Sequence, residues 1–360
     1  MDEQQGKALT LFRNNLLLAA KGACDHNIIM NKFIKFLSVL AVLMSGITAA
    51  FAQTTQIAVL FHEGEITNYT SGTALIQALD AAVDGDVITL SSGIFQSADI
   101  TKNVSIRGAG MGYPELGGTT APTILTGNFE INCPESDTNR LYLEGIVHNE
   151  RITLTKANAM TVLKCQFSYI SPQRIYENEW SDHKYVHCII DELHWPDRSS
   201  LHFTNSAIKT EFDLNSNSST RSAQFDNCVI HTSYGVGNTS MTNCVAILHL
   251  KSGVSRTHIN ASSSCNHCII VGCDEYEAAN GDNIFYPREQ ESALFTSEGL
   301  FNLTDKMKEF AGTDGGQVGI HGGSLPFTPE TTNLKVTKFK VAERTTADGK
   351  LPIEISIESY

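Results

Sequence analysis

The sequence is poor in positive charge. Its 26 Lys and Arg residues stand against 39 Asp and Glu, a formal net charge of −13. A surface of that sign repels nucleic acid and anionic membranes, so neither is expected as a partner. It gives no general attraction to acidic sugars either, so a uronate site would need a local cation or a bound metal. Long apolar runs are also lacking. Phe36 to Ala49 is too short for a comfortable membrane span, which takes about 20 residues, and no other run approaches it. The glycines of Gly108-Ala109-Gly110 and Gly315-Gly316 lack the strand–GxGxxG–helix setting of a nucleotide site and read as turns.

What is present begins with an export signal. Lys32 and Lys35 precede the apolar stretch from Phe36 to Ala49, and Ala50-Phe51-Ala52 supplies small residues around a cleavage site. Residues 30–52 are therefore expected to be a signal peptide starting at Met30, with Gln53 as the mature start. Residues 1–29 would be an over-extended N-terminus. The expected location is exported: periplasmic, cell-surface or secreted. Losing residues 1–52 removes Lys7, Arg13, Lys21, Lys32 and Lys35 but only Asp2, Glu3 and Asp25, which takes the charge to −15.

From residue 100 onward a short pattern recurs: apolar, any, apolar, two bend residues, a small or apolar pivot, any, apolar. Phe225-Asp226-Asn227-Cys228-Val229-Ile230 is its clearest copy. The pivots are Ile146, Cys165, Cys188, Ser206, Cys228, Cys244 and Cys268, spaced 19, 23, 18, 22, 16 and 24 residues apart. A wandering period of this length is the mark of a solenoid of β coils, whose strands keep register while one turn of each coil varies. Gly108, Gly127, Gly145, Asn205, Asn227 and Asn243 occupy the bend, where a left-handed backbone is needed and Gly or Asn tolerates it. Lys164, His187 and His267 fit less well there, so those corners are expected to differ.

Nine cysteines in an exported chain would ordinarily suggest disulfides. Here Cys165, Cys188, Cys228, Cys244 and Cys268 repeat at the pivot, which favours stacked, buried, reduced thiols. His267 and Cys265-x-x-Cys268 resemble metal ligands, but they belong to the repeat, and no metal ligands are assigned.

The segment from Gly72 to Ala82, then Asp84-Gly85-Asp86-Val87-Ile88-Thr89-Leu90 and Gly93-Ile94-Phe95, resembles the opening of pectin-lyase-like parallel β-helix proteins. Lys102 to Gly110 is similar to their first full coil. Gly312 to Gly323 with Pro326-Phe327 is similar to the closing segment of exported β-helix proteins of gut Gram-negative bacteria, with Asp305 to Phe310 as its preceding short helix. The resemblance implies an all-β fold: a right-handed parallel β-helix over residues 53–330, of about nine to ten coils with a short N-terminal capping helix. Residues 331–360 are read as a small C-terminal β extension with strands at Leu334 to Val341 and Ile353 to Ile357.

This fold hosts lyases, hydrolases, adhesins and spacers, so function has to come from the site. No outward Asp column repeats from coil to coil, and neither acidic lyase motifs nor paired hydrolase Asp residues are found. No catalytic set is assigned, and whether the chain is an enzyme stays open; if so, a polysaccharide lyase or glycoside hydrolase is expected. No cofactor is assigned; Glu177, Glu179, Asp182 and Asp191 leave Ca²⁺ open, although no motif marks a site for it. The one departure from the repeat is at residues 171–184 and 191–198, which hold both Trp residues. Function tends to sit on loops that break a rigid scaffold, and flat aromatic rings suit the apolar faces of sugars. The expected ligand surface is Arg174, Tyr176, Trp180, His183, Lys184, His194, Trp195 and Arg198, facing a polysaccharide or cell-surface glycan. The alternative is a non-catalytic structural or adhesive surface protein in which the same rings seal a loop. The oligomeric state is not readable.

Overall fold

The corner between two strands organises the whole molecule. Lys164, Asn205, Asn227 and Asn243 have φ of 52°, 43°, 53° and 55°, and Gly145 has 65°. The left-handed bend therefore recurs from turn to turn. A computed structural model describes residues 56–360 apart from 120, 137, 158, 173–180, 195–197, 215–220, 251, 254, 298–299, 332–334, 342–352 and 359–360. The signal peptide and the over-extended N-terminus lie outside the described residues.

Strands on either side of the corner build two sheets, one 12-stranded and one 13-stranded, here called sheets A and B. Within the coils the pairings are parallel, in unbroken register along sheet A as in Tyr185↔Phe203↔Phe225↔Met241, and with register shifts at several sheet B pairs such as Ile190/Glu192. The result is a parallel β-solenoid of about seven turns. That is fewer than the nine or ten coils expected. The outermost repeats contribute only short strands, such as Ser105–Arg107 and Ala279–Gly281, and do not make complete turns.

Like residues stack on like inside. Tyr185, Phe203 and Phe225 form a ring stack with centroids 4.8 and 4.7 Å apart and planes within 8°. The second expected ladder holds as well: Phe167, Ile190, Ile208, Ile230, Ala246 and Ile270 are all buried and pair in sequence. The pivot cysteines are buried free thiols. Burial pushes the Cys188 thiol up to about 12 and those of Cys165, Cys244 and Cys268 well above their ordinary range. Each pivot cysteine also donates to a corner carbonyl two residues back: Cys165 Sγ to Leu163 O at 3.3 Å, Cys228 Sγ to Asp226 O at 3.3 Å, Cys244 Sγ to Thr242 O at 3.1 Å. Ser206 Oγ does the same to Thr204 O at 2.9 Å. Those carbonyls also accept backbone N–H groups, Leu163 O from Gly145 N and Asp226 O from Asn205 N among them, so the contact gives the buried thiol or hydroxyl proton an acceptor, while Ile146 fills the pivot without one.

Two expectations about the corners are corrected. His187 and His267, at φ 53° and 51°, adopt the same left-handed bend as the Asn residues, as does Lys164. Gly108 does not. Its glycine is required by close approach, since a Cβ there would lie 2.4 Å from the Gly145 carbonyl oxygen.

The ends are closed differently. At the start, helix α1 (Ala74–Ala81) buries Ala74, Leu75, Ala78 and Leu79 over the open coil. An antiparallel hairpin of Ile57–His62 and Glu65–Thr70 continues sheet A beyond Val87–Leu90. This hairpin was not foreseen. Glu63 and Gly64, both at positive φ, make its two-residue turn. After the last coil the chain passes through a 3-10 turn, Arg288–Ala293, and helix α2 (Asp305–Lys308). It then runs back along the outside of sheet B. Leu294, Leu303, Met307, Val318, Ile320 and Phe327 pack there on Val147, Ile189, Ala207, Val229, Val245 and Ile269, forming a second apolar core outside the coils.

This returning strap is pinned by the corner residues in turn. Thr313 N donates to Asn243 Oδ1 at 2.8 Å. Asn205 Nδ2 donates to Ile320 O at 2.9 Å and Gly322 O at 2.8 Å. His187 lies 3.2 Å from Leu325 O and accepts from Thr328 N at 3.3 Å. Lys335–Val341 and Ile353–Glu358 then form an antiparallel two-stranded sheet, as expected for the C-terminal extension.

Candidate functional site

Alternation sends every second residue of a sheet A strand outward. The outward column reads Thr161, Lys184, His202, Gln224, Ser240 and Ser264, paired neighbour to neighbour. Beside it run Ser200 and Ser222, their hydroxyls 2.9 Å apart. From His202 to Ser264 the column, with Ser200, Ser222, Arg221, Asn238 and Ser262, lines an open groove of about 540 Å³. Hydroxyls and amides dominate it. His202 Nε2 lies 3.2 Å from Asp182 Oδ1 at one end, and Ser264 Oγ donates to Ser240 Oγ at 3.2 Å at the other.

The expected ligand residues separate in the fold. Arg174, Tyr176, Trp180 and Trp195 lie outside the described residues. Lys184 is exposed and sits in the groove column next to His202. Arg198 is half-buried at a left-handed corner, and its carbonyl accepts from Ser181 N at 3.0 Å. The strands that follow residues 173–180 and 195–197 in the sequence are Ser181–Val186 and Ser199–Thr204 of sheet A.

His183 is a correction. It is 1 % exposed and points inward, in register with Met160 and Leu201. Desolvation pushes its pKa down to about 4, so the ring is neutral and faces the core rather than a ligand. Alternation decides this: Lys184 faces out, so its neighbour must face in. His194 is exposed but lies past the end of the sheet B strand Ile189–Leu193. There its Nε2 is 2.7 Å from Glu192 Oε1 and 3.3 Å from Tyr169 Oη. Arg151 stacks on the same Tyr169 ring, 4.9 Å from its centroid. His194 therefore belongs to a separate polar cluster.

A second recess was not foreseen. His231 and His249, from successive coils of sheet B, meet with Nδ1 and Nε2 3.0 Å apart. Glu291, on the 3-10 turn of the strap, brings Oε2 to 3.8 Å from His249 Nδ1. With Arg288, Glu289, Phe295 and Phe301 they border a cleft of about 450 Å³. Desolvation, with the His249 ring beside it, pushes the His231 pKa down to about 4. Sequence spacing could not show this cluster, because its members are 18 and 42 residues apart and only coil stacking and the returning strap unite them.

Comparison with known proteins brings no further assignment: no family model, no curated protein and no solved structure matches the chain. The groove and the cleft are therefore the features from which function is read.

Proposed function

We propose that this chain is an exported β-helix protein of the pectin-lyase-like kind that binds a carbohydrate along the outer face of sheet A. The observation that carries the reading is the groove of Ser200, His202, Ser222, Gln224, Asn238 and Ser240. It presents hydroxyl and amide groups at the strand spacing of about 4.8 Å over several turns. Sugar hydroxyls pair well with such groups, and an extended glycan laid across the strands would meet the same chemistry at each coil. In the sequence, Trp180 directly precedes the strand Ser181–Val186 and Trp195 lies four residues before Ser199–Thr204, and flat rings of this kind suit the apolar faces of sugars. The negative charge of the chain favours a neutral glycan over a bare polyanion.

Binding without cleavage is the form this lining supports. Hydrolysis on a glycan takes two carboxyl groups flanking one bond. Among the described residues lining the groove there is no carboxylate, and Asp182 touches it only through His202.

A glycan array probed with the mature chain tests the reading, followed by titration of the best ligand against Ser240→Arg. Ser240 is exposed, so the substitution fills the groove without disturbing the core. The expected result is lost binding with unchanged thermal stability. A variant that binds like the parent, or an array without any hit, overturns it.

A further inference from the structure

We infer that His231, His249 and Glu291 form a binding site for a divalent transition-metal ion of the zinc class, at the floor of the cleft between sheet B and the returning strap. The inference does not depend on the carbohydrate reading, which concerns the other sheet.

The ligand set comes first. Two imidazoles and one carboxylate offer one donor atom each, and these three atoms all lie within 4.8 Å of one another. Two nitrogens and an oxygen suit zinc and its neighbours, whereas Ca²⁺ and Mg²⁺ prefer an all-oxygen shell. In a four-coordinate zinc site with bonds of about 2.0–2.1 Å, neighbouring donors stand about 3.3 Å apart. With one donor atom from each side chain, the set lies within 4.8 Å, so small side-chain rotations bring the three donors to that spacing.

The hydrogen bonding comes second. The ring planes of His231 and His249 are 19° apart, with centroids 5.3 Å apart, so the rings meet edge to edge through one N–H···N contact. Consider the two ways of placing its proton. If His249 Nε2 donates, the lone pair of His249 Nδ1 faces the Glu291 carboxylate, and two acceptors oppose each other at 3.8 Å. If His231 Nδ1 donates, the lone pair of His231 Nε2 is left in a buried position where it has no hydrogen-bond partner. Either neutral tautomer strands a lone pair that a cation, whether a proton or a metal ion, would satisfy. On metal binding the N–H···N contact opens and the rings turn their lone pairs to the ion.

The surroundings come third. His249 and Glu291 keep 36 % and 33 % of their side chains exposed, so an ion can reach the set from the cleft. Arg288 fixes the turn that carries Glu291 by donating to Gly272 O at 2.9 Å and Leu248 O at 3.4 Å. Phe301 packs on His231, ring centroids 6.3 Å apart, and Phe295 packs on Phe301. Three protein donors with one side open to a cleft leave a fourth position for water or an oxygen ligand, as in zinc sites that meet a substrate.

The test uses the untagged mature chain. Isothermal titration with Zn²⁺ is expected to give one saturable site that excess Ca²⁺ and Mg²⁺ do not displace. Co²⁺ in its place is expected to show the intense visible bands of a four-coordinate ion. His249→Ala and Glu291→Gln should each weaken binding by more than the roughly tenfold that loss of an outer hydrogen-bond partner costs. Both side chains are partly exposed, and circular dichroism with thermal melting establishes that each variant is folded. Absence of saturable Zn²⁺ binding by the parent overturns the inference. So does parental affinity in the folded Glu291→Gln variant, or in a His231→Ala/His249→Ala double variant.

Discussion

The outer faces of sheets A and B come from the same repeat and have opposite fates. On sheet A the outward column is Thr161, Lys184, His202, Gln224, Ser240 and Ser264, and it meets solvent. On sheet B the residue after the pivot also points outward, yet apart from Gln166 it reads Val147, Ile189, Ala207, Val229, Val245 and Ile269, and these are buried. A bare stripe of that kind would be a sticky patch. The strap from Leu294 to Phe327 covers it, using apolar side chains over the stripe and hydrogen bonds to the corner residues. The difference teaches that the coils fix where side chains point, while the outward residues decide whether a face is left for ligands or closed by the chain's own end.

The sharpest way to break this contrast is a charge on each face. Ile320 is fully buried between strap and sheet B. Ile320→Asp places an unpaired carboxylate there, and a loss above about 4 kcal/mol is expected. Gln224→Glu on the exposed column of sheet A should change stability by less than about 0.5 kcal/mol. Urea unfolding of both variants reads the difference. Equal midpoints would mean that the strap does not contribute to the fold.

Much of this was legible in the sequence, for physical reasons. Alternation and the recurring bend gave the coils, the pivot thiols and both inner ladders, because stacking forces the same position to do the same job in every turn. The strap was visible only as a resemblance at Gly312 to Phe327. A direct signal existed all the same: the position after each pivot is apolar at Val147, Ile189, Val229, Val245 and Ile269, which a solvent-facing position would not be. Its outlier Gln166 is half-buried rather than buried. The candidate ligand surface was read less well. Departure from the repeat picked out Lys184, which is exposed on the outward column of sheet A, and His194, which sits with Tyr169 and Glu192 past the end of a sheet B strand, but it also included His183, whose place in the alternation points inward. The histidine pair on sheet B left no local trace, since its members meet only through stacking.

A smaller break targets the pins rather than the apolar layer. Asn205 does two things: it holds a left-handed φ of 43°, and its amide donates to two strap carbonyls. Asn205→Ala is expected to cost about 2–4 kcal/mol. Ile320 O keeps its bond from Phe327 N, so the loss falls on Gly322 O, and an unpaired buried acceptor costs about 1–3 kcal/mol, while a left-handed Ala adds about 1 kcal/mol. Asn205→Gly keeps the backbone freedom and loses only the pins, so the difference between the two variants separates corner from strap. If Gly restores parental stability, the hydrogen bonds to Ile320 O and Gly322 O contribute nothing.

The smallest effect is expected from acid, and it comes from beneath the bare face. His183 lies in the inward column of sheet A between Met160 and Leu201, with Nδ1 buried and without a hydrogen-bond partner. Its folded pKa of about 4 is below the ordinary 6.5 because burial disfavours the charged ring. Between those values the unfolded chain takes up a proton that the folded chain refuses, so stability falls as pH drops from about 6.5 towards about 4 and levels off below. At about 1.4 kcal/mol per pH unit the full span is about 3 kcal/mol. Burial also lowers His148, His187 and His231, and these add to the slope. His183→Met isolates the one residue, because a thioether of similar length fits a column that already holds Met160. Urea midpoints of parent and variant from pH 7 to pH 4 should therefore diverge, with the variant the more stable at the acid end. Parallel curves would mean that His183 is protonated in the fold and has found an acceptor inside the coil.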